Sequence, residues 1–217
     1  MRFLSAKPIL LACLVSCASE TASVPVQVPK PGTRGPIEAR AQEICDGPNQ
    51  YISPDRDYLS VPPSRVTWHV PSAYASAARE ATESWYRAIT DSGSDGKVPD
   101  VGDRKADVYL VACEERPPTV RGDLLASAVF LRKKGDPPTA PGEPEYVIRV
   151  FIPSDDRGLP TVLAHELGHL YGLAHSAIET DLMYATYRHP QDPTWMDVES
   201  MLRQLGMNIY EQYGLEQ

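Results

Sequence analysis

Apolar residues fall in two different rhythms along this chain, and the switches between them mark out its elements. Arg65-Val66-Thr67-Trp68-His69-Val70 alternates and is rich in β-branched side chains, which predicts a strand. From Pro71-Ser72 the period changes. Tyr74, Ala77, Ala78, Ala81, Trp85 and Ile89 recur every three or four residues, so a long helix is predicted, ending at Ser92-Gly93. Residues 107–112 form an apolar run of strand length, and 124–131 and 146–152 predict two more strands. The loop between these two, 132–145, is rich in Pro, Gly and charge. Pro160 suits the first turn of a helix that runs to about Tyr171 and stops at Gly172. A last helix is predicted over about 194–205, with Trp195, Val198, Met201, Leu202 and Leu205 on one face and Gly206 as its stop. The order is strand, helix, several strands, helix, irregular stretch, helix, which is that of an α+β domain.

Before Arg65 the rhythm is lost. Residues 37–45 can make a short helix, and Gly47, Pro48, Pro54, Pro62 and Pro63 then break the chain. Pro25, Pro29, Pro31 and Pro36 punctuate residues 18–36, where no helical or strand period survives; an extended tether is expected there. The first residues differ again. Arg2 and Lys7 precede the apolar stretch Ile9–Val15, which is too short to span a bilayer as a helix and fits the apolar region of an export signal. It ends in Leu14-Val15-Ser16-Cys17, which resembles the bacterial lipoprotein processing box, in which the cysteine is acylated and becomes the first mature residue. The alternative is an ordinary signal peptide cut near Ala18 or Ala22. The expected division is therefore 1–16 signal, 17–60 tether and extension, and 61–217 folded domain. The expected location is the cell envelope through a lipid on Cys17, or secretion as a soluble protein.

Composition adds limits. A length of 217 residues suits one domain with a leader, and 42% hydrophobic residues can supply its core. The net charge of −8 becomes more acidic once Arg2 and Lys7 are removed, which argues against a nucleic-acid partner, because phosphate binding needs clustered Lys and Arg. The membrane is expected to be met only through the N-terminal lipid, and a monomer is expected. After Cys17, two cysteines remain, Cys45 and Cys113, and an oxidising compartment makes a disulfide between them plausible.

The chemistry lies in His165-Glu166-Leu167-Gly168-His169-Leu170-Tyr171-Gly172-Leu173-Ala174-His175. Residues four apart share a helix face, so His165 and His169 project side by side and can reach one metal ion. Glu166 neighbours the first ligand and can lie beside the metal without binding it. Leu163, Leu167 and Leu170 mark the opposite, core-facing side. Gly172 can take a positive φ, which ends the helix and turns the chain so that His175 approaches from another direction. Three neutral imidazoles leave a fourth position open, the arrangement of a catalytic zinc. Five fixed positions in about two hundred starting points would arise by chance in roughly one chain in ten thousand.

This pattern resembles the metzincin peptidases, and within them the matrixins. Ser176 after the third histidine is matrixin-like, and Leu182-Met183-Tyr184 resembles the Met-turn, with Met183 under the metal. Ala106-Asp107-Val108 and Trp85 resemble weaker family features. The resemblance covers about residues 61–217. It implies a metzincin catalytic domain: a twisted mixed sheet of four to five strands with a long first helix, an active-site helix and a C-terminal helix. It also implies one catalytic zinc and a protein or peptide substrate lying extended along the strand near 124–131. The pocket beyond the scissile bond would be walled by about 184–190, with Tyr187 and His189 as lining or surface residues. The second, structural zinc usual in matrixins is not expected, since Leu125-Ala126-Ser127-Ala128 lacks the family's histidine. Ca²⁺ at Asp155 and Asp156, or around Asp100 and Asp103, stands beside the reading of those acids as solvated loop residues. The family's cysteine zymogen segment is absent. Cys45-Asp46-Gly47-Pro48 is a faint echo, so a Cys45 thiolate blocking the zinc is an alternative to the disulfide. Three functions follow: zinc endopeptidase with Glu166 as general base, a zinc-holding module without turnover, or a zinc amidase acting on a non-protein bond.

Overall fold

The computed structural model describes residues 25–28, 37, 39–47, 56–115, 124–134, 136, 144–187 and 191–213. The alternating and apolar runs form strands β2 (Val66–His69), β3 (Ala106–Ala112), β4 (Ala126–Phe130) and β5 (Tyr146–Val150); β2, β4 and β5 are two or three residues shorter than the sequence pattern extends, and β3 is one longer. With β1 (Val26–Gln27) they make a five-stranded sheet in the order β1-β2-β3-β5-β4. β1, β2, β3 and β5 run parallel; β4 runs antiparallel to β5 and forms an edge. The helices are α1 (Ala41–Asp46), α2 (Ala75–Asp91), α3 (Leu159–Leu170) and α4 (Trp195–Tyr213). This mixed sheet with its helices is an α+β fold of the expected kind.

The parallel strands make the sheet two-sided, and each face has its own core. On one face Val108, Leu110, Ala128, Ile148 and Val150 pack with the apolar stripe of α2 and with Leu159, Leu163, Leu167 and Leu170 of α3, most of them fully buried. Two indole N–H groups fix this layer: Trp68 Nε1 donates to Thr82 Oγ1 at 2.7 Å, and Trp85 Nε1 donates to the Ala164 carbonyl at 2.9 Å. On the other face the alternate residues Tyr109, Val111, Val129 and Val147 pack against Ile37, Ile44 and Cys45.

That second core draws the N-terminal extension into the fold. Cys45 on α1 is bonded to Cys113, just past β3. The thiol that the zinc-blocking alternative requires is thereby consumed, and the disulfide takes its place. Arg149 of β5, fully buried, donates from Nε to Ser127 Oγ and from its guanidinium to the carbonyls of Ile44, Cys45 and Gly47, which end α1. A buried cation thus satisfies the orphan carbonyls of a short helix and benefits from its dipole. Leu59 and Ser60, ahead of the expected start of the domain, are also buried.

Two further expectations change. The tether at 18–36 contributes β1: Trp68 N–H donates to the Pro25 carbonyl and Val70 N–H to the Gln27 carbonyl. An extended segment can add to a sheet edge through its main chain alone, so no side-chain period announces it. The last helix passes through Gly206 and reaches Tyr213. Glycine costs a helix about 1 kcal/mol, and anchoring outweighs that. Asn208, two residues beyond, is buried and donates to the Leu59 and Tyr171 carbonyls at 2.7 and 3.1 Å.

Candidate metal centre and active site

Helix α3 carries the first two histidines on the side away from its leucines. His165 and His169 stand one turn apart with ring centroids 4.7 Å from each other. The helix ends as its sequence requires. Gly172 has φ +96°, and its N–H donates to the His169 carbonyl while Leu173 N–H donates back to the Gly168 carbonyl. This is the paired closure of a left-handed helix cap. A side chain at Gly172 would be strained by that φ and would press on Gln204 and Tyr58. The turn returns the chain to the metal face, and His175 brings its ring to 4.7 Å from His169 and 5.3 Å from His165.

The three rings fit one zinc ion. Their ligand nitrogens lie within 4.8 Å of one another, and this is the one such cluster of His, Cys, Asp or Glu among the described residues. His169 Nε2 and His175 Nε2 face each other at 3.1 Å. Two nitrogens bound at about 2.05 Å to a tetrahedral ion are spaced about 3.3 Å apart, so this spacing suits a shared cation. The opposite nitrogens are engaged as a ligand tautomer demands: His165 Nδ1 bonds the Leu182 carbonyl and His169 Nδ1 the Leu173 carbonyl, each at 2.7 Å. Burial lowers the pKa of both to about 4, so they are neutral and ready to ligate at pH 7. Burial also lowers that of His175.

Glu166 is buried, and its Oε2 accepts the Ala128 N–H of edge strand β4 at 2.7 Å. Burial raises its pKa; the charge of His165, the Ala128 N–H and the charge of Arg149 oppose that shift. A carboxylate moved upward in this way is a stronger base toward a neighbouring water.

Met183 lies beneath α3 with its sulfur against Gly168, where a Cβ would stand 2.4 Å from Sδ; only glycine permits this approach. The turn around Met183 is pinned by groups that spacing alone did not reveal. Asp197, buried in the first turn of α4, accepts the Leu182 N–H at 3.0 Å, the Met183 N–H at 3.4 Å and the Thr194 N–H at 2.8 Å. Asp181 accepts the Ser176 hydroxyl at 2.6 Å and the Thr194 hydroxyl at 3.2 Å. The Leu182 carbonyl orients His165, and Ser176 follows His175, so both acids support ligands. The available signal was Asp197 in the first turn of a predicted helix, where an acid is favoured. Replacing Asp197 with Ala is expected to weaken zinc affinity about 10–100-fold. Competition against a chromogenic chelator measures this, and affinity equal to that of the unaltered protein would refute the supporting role.

The flank of the metal site opens into a cleft of about 410 Å³. His165, Glu166 and His175 form its metal side; Leu124, Leu125, Val162, Leu182 and Tyr184 form apolar walls; Tyr187 and Gln191 also line it. Tyr187 therefore stands where the sequence allowed it. His189 and Cys17 lie outside the described residues. His69 faces away from the site, bonded to Asp107 Oδ1 at 2.8 Å and stacked on Tyr109. Asp100 Oδ1 and Asp156 Oδ1 each accept a nearby glycine N–H within a turn, from Gly102 and Gly158.

Three imidazoles on a helix and its following turn, a buried carboxylate between them and an open cleft define a mononuclear metal site of hydrolytic type. The matrixin family matches residues 67–201, which include every group of this site, and the chain belongs to that family of zinc metallopeptidases. A search of curated proteins finds no match.

Proposed function

We propose that this protein is a zinc-dependent endopeptidase in which Glu166 is the general base. The observation that carries the proposal is the joint placement of Glu166 and the three-histidine cluster beside a cleft that the edge strand β4 borders. His165, His169 and His175 would hold the zinc. When bound, zinc supplies Lewis acidity that polarises the scissile carbonyl and acidifies water. Glu166 takes a proton from the attacking water and passes it to the leaving amine. Its carboxylate lines the metal side of the cleft, beside His165. The outward edge of β4 offers main-chain groups to which an extended substrate adds as a further strand. The apolar cleft receives the side chain that follows the scissile bond.

An intact general base favours turnover over a module that only holds zinc, and a strand edge beside the cleft favours a peptide over a small amide. The proposed setting is the cell envelope, with the chain tethered through a lipid on Cys17; support for this is the Leu14-Val15-Ser16-Cys17 sequence. Purified soluble protein is expected to hold one zinc per chain and to cleave casein. Chelation should abolish cleavage and added zinc restore it. Cleavage that survives complete removal of zinc would refute the proposal.

A further inference from the structure

The cleft beside the metal does not end at a solid floor. Thr161 and Gln191 close it, and the same two residues border a second cavity of about 190 Å³ behind them. That rear cavity is lined further by Glu80, Ser84 and Arg87 on one face of α2, by Pro160 and by Asp192. Thr161 and Gln191 are thus a layer shared by the two spaces.

The distance to that layer follows from the helix. Thr161 precedes His165 by four residues on α3, which places it about 6 Å along the axis from the metal ligand. A short side chain entering beside the zinc leaves the far end of the cleft unfilled. A long unbranched one reaches the layer: a lysine extends about 6 Å from Cα to Nζ.

The groups at and beyond that far end carry a net negative charge. Gln191 gives its backbone N–H to Thr161 Oγ1 and one Nε2 hydrogen to the Glu179 carbonyl, and its Oε1 is an acceptor. Behind it stand two carboxylates, Glu80 and Asp192, against one cation. Arg87 is already engaged with Asp192 at 3.7 Å, which leaves Glu80 in excess. An apolar stem followed by a cationic tip complements this sequence of surfaces. A tip of negative charge would meet the Gln191 acceptor and the excess carboxylate.

We infer that the cleft selects substrates with a long cationic side chain, lysine or arginine, immediately after the scissile bond, and that Gln191 and Glu80 are its specificity-determining residues. The inference rests on the peptidase reading for its meaning, and it is tested by binding so that the two fail separately. The probes are dipeptide hydroxamates, which attach to zinc, carrying lysine, leucine, methionine or glutamate as the side chain that enters the cleft. Binding to the zinc-loaded protein is measured by calorimetry, alongside Glu80→Ala and Gln191→Leu. The lysine probe is expected to bind about tenfold more tightly than the leucine probe, with the glutamate probe weakest. Each substitution should reduce the lysine advantage while leaving leucine binding within about twofold. Glu80 is exposed, so its variant is not at risk of misfolding. Leucine or methionine binding as tightly as lysine, or a lysine advantage that both variants retain, overturns the inference. Casein cleavage by the same preparation reports on the peptidase reading alone: its absence beside an intact lysine preference counts against turnover and supports the pocket assignment.

Discussion

Glu166→Ala is expected to retain one zinc per chain and to lose about 10²–10⁴-fold in kcat/KM for peptide cleavage. The two parts of this result have separate origins. The ligand nitrogens belong to His165, His169 and His175, and their orientation comes from the Leu182 and Leu173 carbonyls, none of which involves the Glu166 carboxylate. Metal content should therefore persist. The proton transfers, in contrast, have no substitute: among the described residues that line the cleft, Glu166 is the one carboxylate. Stability is expected to fall by about 1–3 kcal/mol, because removing the carboxylate leaves the buried Ala128 N–H without its acceptor. Zinc analysis, casein cleavage and thermal denaturation of the variant beside the unaltered protein test all three statements. Activity within tenfold of the original would remove Glu166 from its assigned role.

The second large effect concerns stability. Replacing Cys45 and Cys113 together with alanine is expected to cost about 4 kcal/mol, the loop-entropy value for a bridge between residues 68 apart in sequence. The bridge joins α1 to the end of β3, and α1 supplies Ile44 and Cys45 to the second core as well as the carbonyls that Arg149 needs. A loosened α1 leaves a fully buried guanidinium, already with its pKa lowered by burial, short of acceptors. The zinc ligands lie on the other side of the sheet, so zinc content in the folded variant should remain one per chain. Urea denaturation measures the cost; a midpoint unchanged from the oxidised protein would show that α1 holds its place without the bridge.

These two expectations draw on different kinds of information. The metal site could be read from the sequence because its geometry is local. His165 and His169 are set by the helix repeat, and Gly172 turns the chain within three residues of His175. Once α3 forms, the ligands have few other places to go. The same locality made the strands at 66, 106, 126 and 146 and the helix from 75 visible, since each presents a periodic face to a core. Even the Met-turn was found by its short distance from His175.

What only the tertiary structure decided is the set of contacts between segments far apart in the chain. Arg149 read as one residue of a strand, and its acceptors lie more than one hundred positions earlier, at Ile44 and Cys45. The choice between a Cys45–Cys113 bridge and a free thiolate was open because no local rule gives the distance between two cysteines; the packing of α1 on β3 settled it. Asp197 holds Leu182 and Met183 from fifteen and fourteen residues away. β1 joined the sheet through main-chain groups that every residue carries. Helix α4 ran through Gly206 because Asn208 is tied to Leu59 and Tyr171, a long-range gain larger than the local cost of glycine. The sequence by itself determined the grouping of His165, His169 and His175 around Glu166, because helix and turn geometry act over a few residues. The second core, the supports of the metal site and the depth of the cleft were decided only where distant segments meet.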